Sequence, residues 1–359
     1  MMRMAGVSAD EQAAQGDETG LARAGFAGYL TAVVAGLLAA MAAFVLVLLG
    51  LRATGNLPPP AFSNSLCVDE KLNFLRNNPI VDPTLLVVGS SVAWRHVDGD
   101  ALVAAAPGTR PMNGAFCGLH VDQTAYVTEW LLDRQPTVRQ VVMVVDPLDL
   151  AGCWRERDAV FDRDDADRYV YQDASPWLYY LRYFAPISLT RNALKVSDQR
   201  AGLIEWDPLV FNRHGDGPLV SDNDRGLFYG TPEPLDGACF AALADMADTL
   251  DREGRQLTVV STPLHPEWKT LVDPDGSFIA DYDARILQAL GGTTARYWNA
   301  DQQWQAPKTA FIDAIHLRWS AAQAFSAALA RQLGLGEPTE AVSGGAVLTS
   351  EAGLATPIR

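Results

Sequence analysis

Hydrophobic positions follow three patterns along the chain. The first is one unbroken apolar run from Ala24 to Leu51, 28 residues without a charge, bounded by Arg23 and Arg52. A helix rising about 1.5 Å per residue needs about 20 apolar residues to cross a hydrocarbon core about 30 Å thick, so the run predicts a membrane-spanning helix. It exceeds the apolar region of about 7–15 residues in a cleavable signal, and no small-residue cleavage pattern follows at once, so an uncleaved anchor is expected. The second pattern is short continuous runs. Thr84 to Gly89, Val141 to Val145 and Leu257 to Val260 read as buried strands, with a weaker strand at Ala295 to Trp298. The third is helical spacing over Val121 to Arg134 (Val121, Ala125, Val127, Trp130, Leu131), Ala241 to Arg252, Tyr282 to Leu290 and Ser320 to Leu333. Strands alternating with helices predict an α/β domain with a mostly parallel sheet covered on both faces, three layers in all. In such sheets reactive groups collect at the carboxyl ends of the strands.

These patterns divide the chain. Residues 1–23, with Asp10, Glu11, Asp17 and Glu18, read as a short structureless cytoplasmic tail, and 24–51 as the transmembrane helix. Residues 52–80 read as a spacer, stiffened by Leu57-Pro58-Pro59-Pro60, that holds the domain off the membrane. The main domain covers 81–333, and 334–359, rich in Gly, Ser, Thr and Ala, reads as a disordered tail. Within the domain the alternation stops over about 150–235, which is expected to be an insertion. Its aromatic group (Trp177, Tyr179, Tyr180, Tyr183, Phe184) fits either a small satellite core or a surface that stacks on sugar rings.

Charge and cysteines narrow the setting. Acidic residues number 43 against 28 basic, a net charge of −15, and that field repels phosphate backbones, so nucleic acid is excluded as a partner. Arg3 and Arg23 before the span and Arg52 after it give only a slight basic bias. The bulk of the chain is placed outside the plasma membrane as a single-pass protein. Cys67, Cys117, Cys153 and Cys239 all lie beyond the span, where they form two disulfides in one of three pairings or remain buried thiols.

The chemistry begins directly after the first strand, at Val87-Val88-Gly89-Ser90-Ser91-Val92. A serine at a strand-to-helix turn exposes its hydroxyl, although such a turn also serves simply as a helix cap. A serine nucleophile needs a base, and the base needs an orienting acid. Among five histidines, one lies in Phe311-Ile312-Asp313-Ala314-Ile315-His316-Leu317, just before the last helix. Three-residue spacing lets Asp313 hold the ring of His316 while its other nitrogen meets Ser91.

A Gly-Ser-Ser turn after strand one, combined with Asp-x-x-His before the last helix, resembles the SGNH (GDSL-like) hydrolase family over roughly Thr84 to Leu333. The resemblance implies an SGNH-type fold with a flavodoxin-like sheet. It implies Ser91 as nucleophile, His316 as general base and Asp313 as its partner. Asn113-Gly114-Ala115-Phe116-Cys117-Gly118 corresponds to the second family block. The implied oxyanion donors are the N–H of Ser91 and that of Gly114 or Ala115. One departure stands out: the family's third block carries an oxyanion-binding Asn, whereas this chain has Val145-Asp146-Pro147. An ionised Asp accepts hydrogen bonds only and repels an oxyanion. That loss, with the anchor, is similar to the alginate O-acetyltransferases and the D-alanine transfer proteins of teichoic acid assembly.

The expectation is a serine-dependent O-acyltransferase or esterase acting on acyl groups, acetyl above all, of an exported or cell-envelope polysaccharide. A transferase would draw its acyl group from a multi-span membrane partner. The competing expectation is a catalytically weak SGNH-like protein that binds polysaccharide or scaffolds an export complex. Trp94, Asp146 and His265 are candidates for lining the cleft. No cofactor is called for and no metal site is expected. His96, His120 and His265 match no ligand spacing, and Asp273-Pro274-Asp275-Gly276 lacks the later Glu of a calcium loop and reads as a turn.

Overall fold

The computed structural model describes residues 9–63, 65–153, 160–203, 208–227, 229 and 231–335. In chain order these form α1 (Ala9–Ala53), α2 (Leu66–Asn77), β1 (Leu85–Gly89), α3 (Ser91–His96), α4 (Gly99–Ala105) and β2 (Pro111–Asn113). There follow α5 (Val121–Arg134), β3 (Gln140–Val145), α6 (Arg163–Val170), α7 (Pro176–Arg182), α8 (Pro186–Arg200) and α9 (Gly237–Arg252). The last are β4 (Gln256–Ser261), α10 (Pro266–Val272), α11 (Ser277–Ala289), β5 (Arg296–Asn299), α12 (Ala300–Gln303) and α13 (Trp319–Gln332). The chain divides into two compact units, residues 1–66 with 176–204, and 67–175 with 205–359.

The larger unit is α/β. Its five strands are all parallel, in the order β2-β1-β3-β4-β5. β1 pairs with β3 from Leu85 opposite Gln140 to Gly89 opposite Val144. Strands buried on both faces must be apolar throughout, which is why β1, β3 and β4 appear in the sequence as continuous Leu/Val runs. On one face α3 and α4 pack with α13, burying Val92, Val97, Ala322, Phe325 and Leu329. On the other, α5 packs on β1 and α9, and α11 on α9. The chain leaves β1 toward β2 and then returns to β3 on the opposite side. The carboxyl ends of β1 and β3 therefore flank the crevice where such sheets place ligands. Gly89 closes β1 at φ +137°, and a Cβ there would collide with the Val144 carbonyl and Ala93, so the turn admits glycine alone.

Two disulfides form, Cys67–Cys117 and Cys153–Cys239, with Cα separations of 6.2 and 5.2 Å. β2 was not expected. It is three residues long and buried, and it exists through pairing with β1 rather than through any pattern of its own.

The smaller unit corrects two sequence expectations. The segment before the span is helical from Ala9 rather than structureless. Nor is Pro58–Pro60 a solvated spacer: all three prolines are buried, and Tyr180 Oη donates to the Pro58 carbonyl at 2.5 Å. In the larger unit, α2 makes a regular helix of part of the 52–80 stretch as well. Tyr179, Tyr180 and Tyr183 of the aromatic group form a satellite core, with Phe62 4.9 Å from Tyr179 and 5.3 Å from Tyr183, whereas Phe184 is exposed. Within α1, Gly28–Ala53 is long and apolar enough to cross a membrane, with mean hydropathy 2.8. Residues 336–359, expected to be disordered, lie outside the described residues, as do 154–159 of the insertion.

Candidate active site

Ser91 opens α3, and its half-exposed side chain sits at the end of β1. As the first helical residue it has no carbonyl one turn back for its N–H to meet. Ser90, the residue before it, does not cap the helix; its hydroxyl donates instead to Asp149 Oδ2 at 2.9 Å. Ser91 Oγ lies 2.9 Å from His316 Nε2.

His316 belongs to a short loop closed by a bridge between Phe311 and Leu317 and by the Ile312 N–H donating to the His316 carbonyl at 2.9 Å. Inside it, Asp313 Oδ1 accepts the N–H groups of Ile315 (3.0 Å) and His316 (2.8 Å). That turn brings His316 Nδ1 to 2.9 Å from Asp313 Oδ2. The network assigns the proton to Nδ1 and leaves the Nε2 lone pair facing Ser91. Arg225 Nη1 donates to Asp313 Oδ2 at 3.0 Å, and Tyr229 Oη lies 3.5 Å from His316 Nδ1. Burial works against the Asp313 charge. The adjoining His316 and the bonds from His316 and Ile315 outweigh it, and the carboxyl is held down at about 2.

Three further elements hold this loop. His96, at the far end of α3, accepts the Leu317 N–H at Nε2 (2.9 Å) and donates from Nδ1 to Thr262 Oγ1 (2.6 Å). Burial, then neighbouring His316, pushes the His96 pKa well below that of a free imidazole, so it is neutral with a fixed tautomer. The His265 N–H donates to the Ala314 carbonyl at 2.9 Å, and the Arg225 N–H to the Ile312 carbonyl at 2.7 Å. One short helix thus carries Ser91 at its start and the anchor of the His316 loop at its end. Because both nitrogens of His96 are occupied, it has no lone pair for a metal, and among the described residues no cluster of three ligating side chains forms.

The opposite side of Ser91 differs from what the family resemblance implied. The Gly114 N–H is already spent on the Val87 carbonyl at 2.8 Å, because it continues the β1–β2 ladder. The Ala115 N–H donates to Asn113 Oδ1 at 3.1 Å. Asp146 follows β3 and is buried; its Oδ1 accepts the N–H groups of Leu148 (2.6 Å) and Asp149 (3.3 Å), capping the turn Pro147–Leu150. Asp149 Oδ2 in turn accepts the Asp146 N–H at 3.3 Å. Burial raises both carboxyls, Asp146 to about 6 and Asp149 well beyond the carboxylate range, with the nearby Asp146 charge adding to the latter. Trp94 does not line a cleft: its indole is buried against Phe211 at 5.3 Å, with Gly217 packed on the ring. His265 is half-buried and caps α10, its Nδ1 accepting the Glu267 N–H at 3.1 Å.

No known family model matches the sequence, and no curated protein does. The site is read from its own geometry. Ser91, His316 and Asp313 come together across 225 residues of chain. Arg225, Tyr229 and the anchoring role of His96 were not found from sequence. The first two stand in the unpatterned insertion, and the third is visible only once α3 and the His316 loop are adjacent.

Proposed function

We propose that this chain is a membrane-anchored, serine-dependent acyl-transfer enzyme of the SGNH hydrolase type. The observation that carries the reading is the relay from the half-exposed Ser91 hydroxyl through His316 to a buried, ionised Asp313. A serine hydroxyl is a poor nucleophile until a base removes its proton as it attacks. In the proposed reaction Ser91 Oγ attacks an ester carbonyl while His316 Nε2 takes the hydroxyl proton. Asp313 stabilises the resulting imidazolium, and the Ser91 N–H donates to the oxyanion. Collapse expels the alcohol, which leaves with the proton from His316, and an acyl-Ser91 ester remains. A sugar hydroxyl (transfer) or water (hydrolysis) then gives its proton to His316 and takes the acyl group, and His316 passes that proton to the departing Ser91 Oγ.

The parallel sheet, with the nucleophile at the switch point, supports an SGNH-type domain. Two disulfides support a location on the oxidising side of the membrane, and Gly28–Ala53 supports the anchor. Such a location fits an O-acylated exported or cell-envelope polysaccharide as substrate, with a multi-span membrane protein as acyl donor if the reaction is transfer. The test is turnover of an aryl acetate and labelling by a fluorophosphonate, using the full chain in detergent. Ser91 is the expected adduct site, and both signals are expected to vanish in Ser91→Ala. Turnover or labelling unchanged in Ser91→Ala or His316→Ala would overturn the reading.

A second reading draws on the committed Gly114 N–H and on Asp146 in place of an amide. On that reading the domain is a weak catalyst that serves as a polysaccharide-binding scaffold, and wild-type chain would show no fluorophosphonate adduct.

A further inference from the structure

The smaller unit carries a distribution of apolar side chains that catalysis does not use. α7 and α8 form a hairpin alongside the last turns of α1, and three contacts fix its register. Trp177, at the start of α7, lies under the Arg52 guanidinium at 5.6 Å. Phe184, between the two helices, meets Phe44 with ring centroids 4.8 Å apart. Arg200, at the end of α8, lies against Gly55. The hairpin therefore descends beside α1 from Arg52 to Phe44 and climbs back past the helix end. Phe44 is eight positions before Arg52, so the turn lies about 12 Å along the axis from the first charge beyond the apolar run.

Polarity follows this geometry. Among residues 176–190 only Arg182 is charged, whereas the climbing half of α8 carries Arg191, Lys195, Asp198 and Arg200. Near the turn the outward side chains are large and apolar: Leu178, Leu181, Phe184 (57% exposed) and Ile187 (85% exposed). The inward ones, Tyr179 and Tyr180, are buried in the satellite core. A soluble hairpin would carry its polar residues on that outward face.

We propose that the α7–α8 hairpin is a lipid-facing wedge: its turn, residues 181–187, enters the acyl-chain region of the membrane leaflet on the Arg52 side, beside α1. The inference rests on the anchor reading given above. Trp177 then sits at headgroup level with Arg52, where indoles partition, and the net positive end of α8 lies among the phosphates. Arg182, the one charge near the turn, is engaged by a partner within the protein. The partner is the bilayer itself. Lys195, Asp198 and Arg200 lie near the level of Arg52, and Arg191, deeper on α8, reaches up to that level along its aliphatic stem.

Nitroxide accessibility in the full chain reconstituted into phosphatidylcholine–phosphatidylglycerol vesicles tests this. All four native cysteines are in disulfides, so an introduced cysteine is the sole free thiol. Ile187→Cys is compared with Leu37→Cys in the middle of the apolar run and Leu271→Cys on α10, exposed 67% and 68%. The expected ratio of oxygen to nickel-chelate collisions at 187 lies below that at 37, which is deeper, and exceeds that at 271 severalfold. A ratio at 187 equal to that at 271, with 37 still in lipid, overturns the wedge and leaves the anchor standing. Shielding of 187 from both reagents also overturns it, since the face is then covered by protein. A water-like ratio at 37 removes the anchor reading itself.

Discussion

The two sides of Ser91 are built to different standards. On the base side every group is held more than once. Asp313 takes two backbone N–H groups, the imidazole and Arg225, while the loop around it is tied to α3, to the β4 end and to the insertion. On the proposed oxyanion side the Gly114 donor is bonded elsewhere, the Ala115 donor is engaged by Asn113, and a buried carboxyl, Asp146, follows β3 where the resembled family carries an amide. On the proposed reading, proton transfer is preorganised before substrate arrives. Charge stabilisation is not, and that is usually the larger contribution to acyl-transfer rates. The chain is therefore expected to form an acyl-enzyme slowly, at a rate governed by how donors become free.

The largest effect that would break this contrast is expected at Asp313. Asp313→Asn presents an NH₂ group to donors and favours the wrong tautomer of His316, so aryl acetate turnover should fall by about 10³–10⁴-fold. A loss below tenfold would mean that the base side contributes no more than the other. An intermediate effect is expected at His96. His96→Leu leaves the buried Leu317 N–H without an acceptor, at a cost of about 1–3 kcal/mol, and frees the His316 loop. The expected result is a fall in kcat of about tenfold with KM unchanged. His96→Gln, which offers both an acceptor and a donor, should recover part of it. Equal damage from both variants would remove His96 from the positioning of the base.

The smallest effect sharpens the other side. Asp146→Asn keeps an oxygen that can accept from Leu148 and Asp149, so the turn remains capped, but the buried charge is gone. The folded Asp146 carboxyl is raised to about 6 from 3.8, so its ionisation penalises the native state progressively above pH 4 and fully above pH 6. The variant should accordingly be more stable than wild type by about 1–3 kcal/mol at pH 8, with the gain vanishing near pH 4, as read from denaturant midpoints. Turnover should rise severalfold at pH 8 as the repulsion of the oxyanion is lifted. A pH-independent stability difference would show that Asp146 is ionised throughout.

What the sequence disclosed follows the strength of each local signal. β1, β3, β4, α5 and α13 were legible because parallel strands and amphipathic helices need long runs of one period, and those runs are present. β2 was invisible, since three residues hold their place through a neighbour rather than through propensity. Ser91, Asp313 and His316 were legible because each belongs to a short motif beside a strong element. Arg225 and Tyr229 sit in turn-rich chain where nothing local distinguishes them from any solvated side chain. Pro58–Pro60 misled for a related reason: a proline run is stiff whether it is solvated or packed, and only the Tyr180 bond reveals which.

The Cys153–Cys239 bridge has a further meaning for the insertion. Close to it, Ala151 bridges Leu235 and the Asp236 N–H donates to the Leu150 carbonyl, so the polypeptide departs and comes back through one narrow neck. Scission of the backbone anywhere between the two cysteines would consequently leave a single covalent molecule, parting into two fragments only when a reductant is supplied.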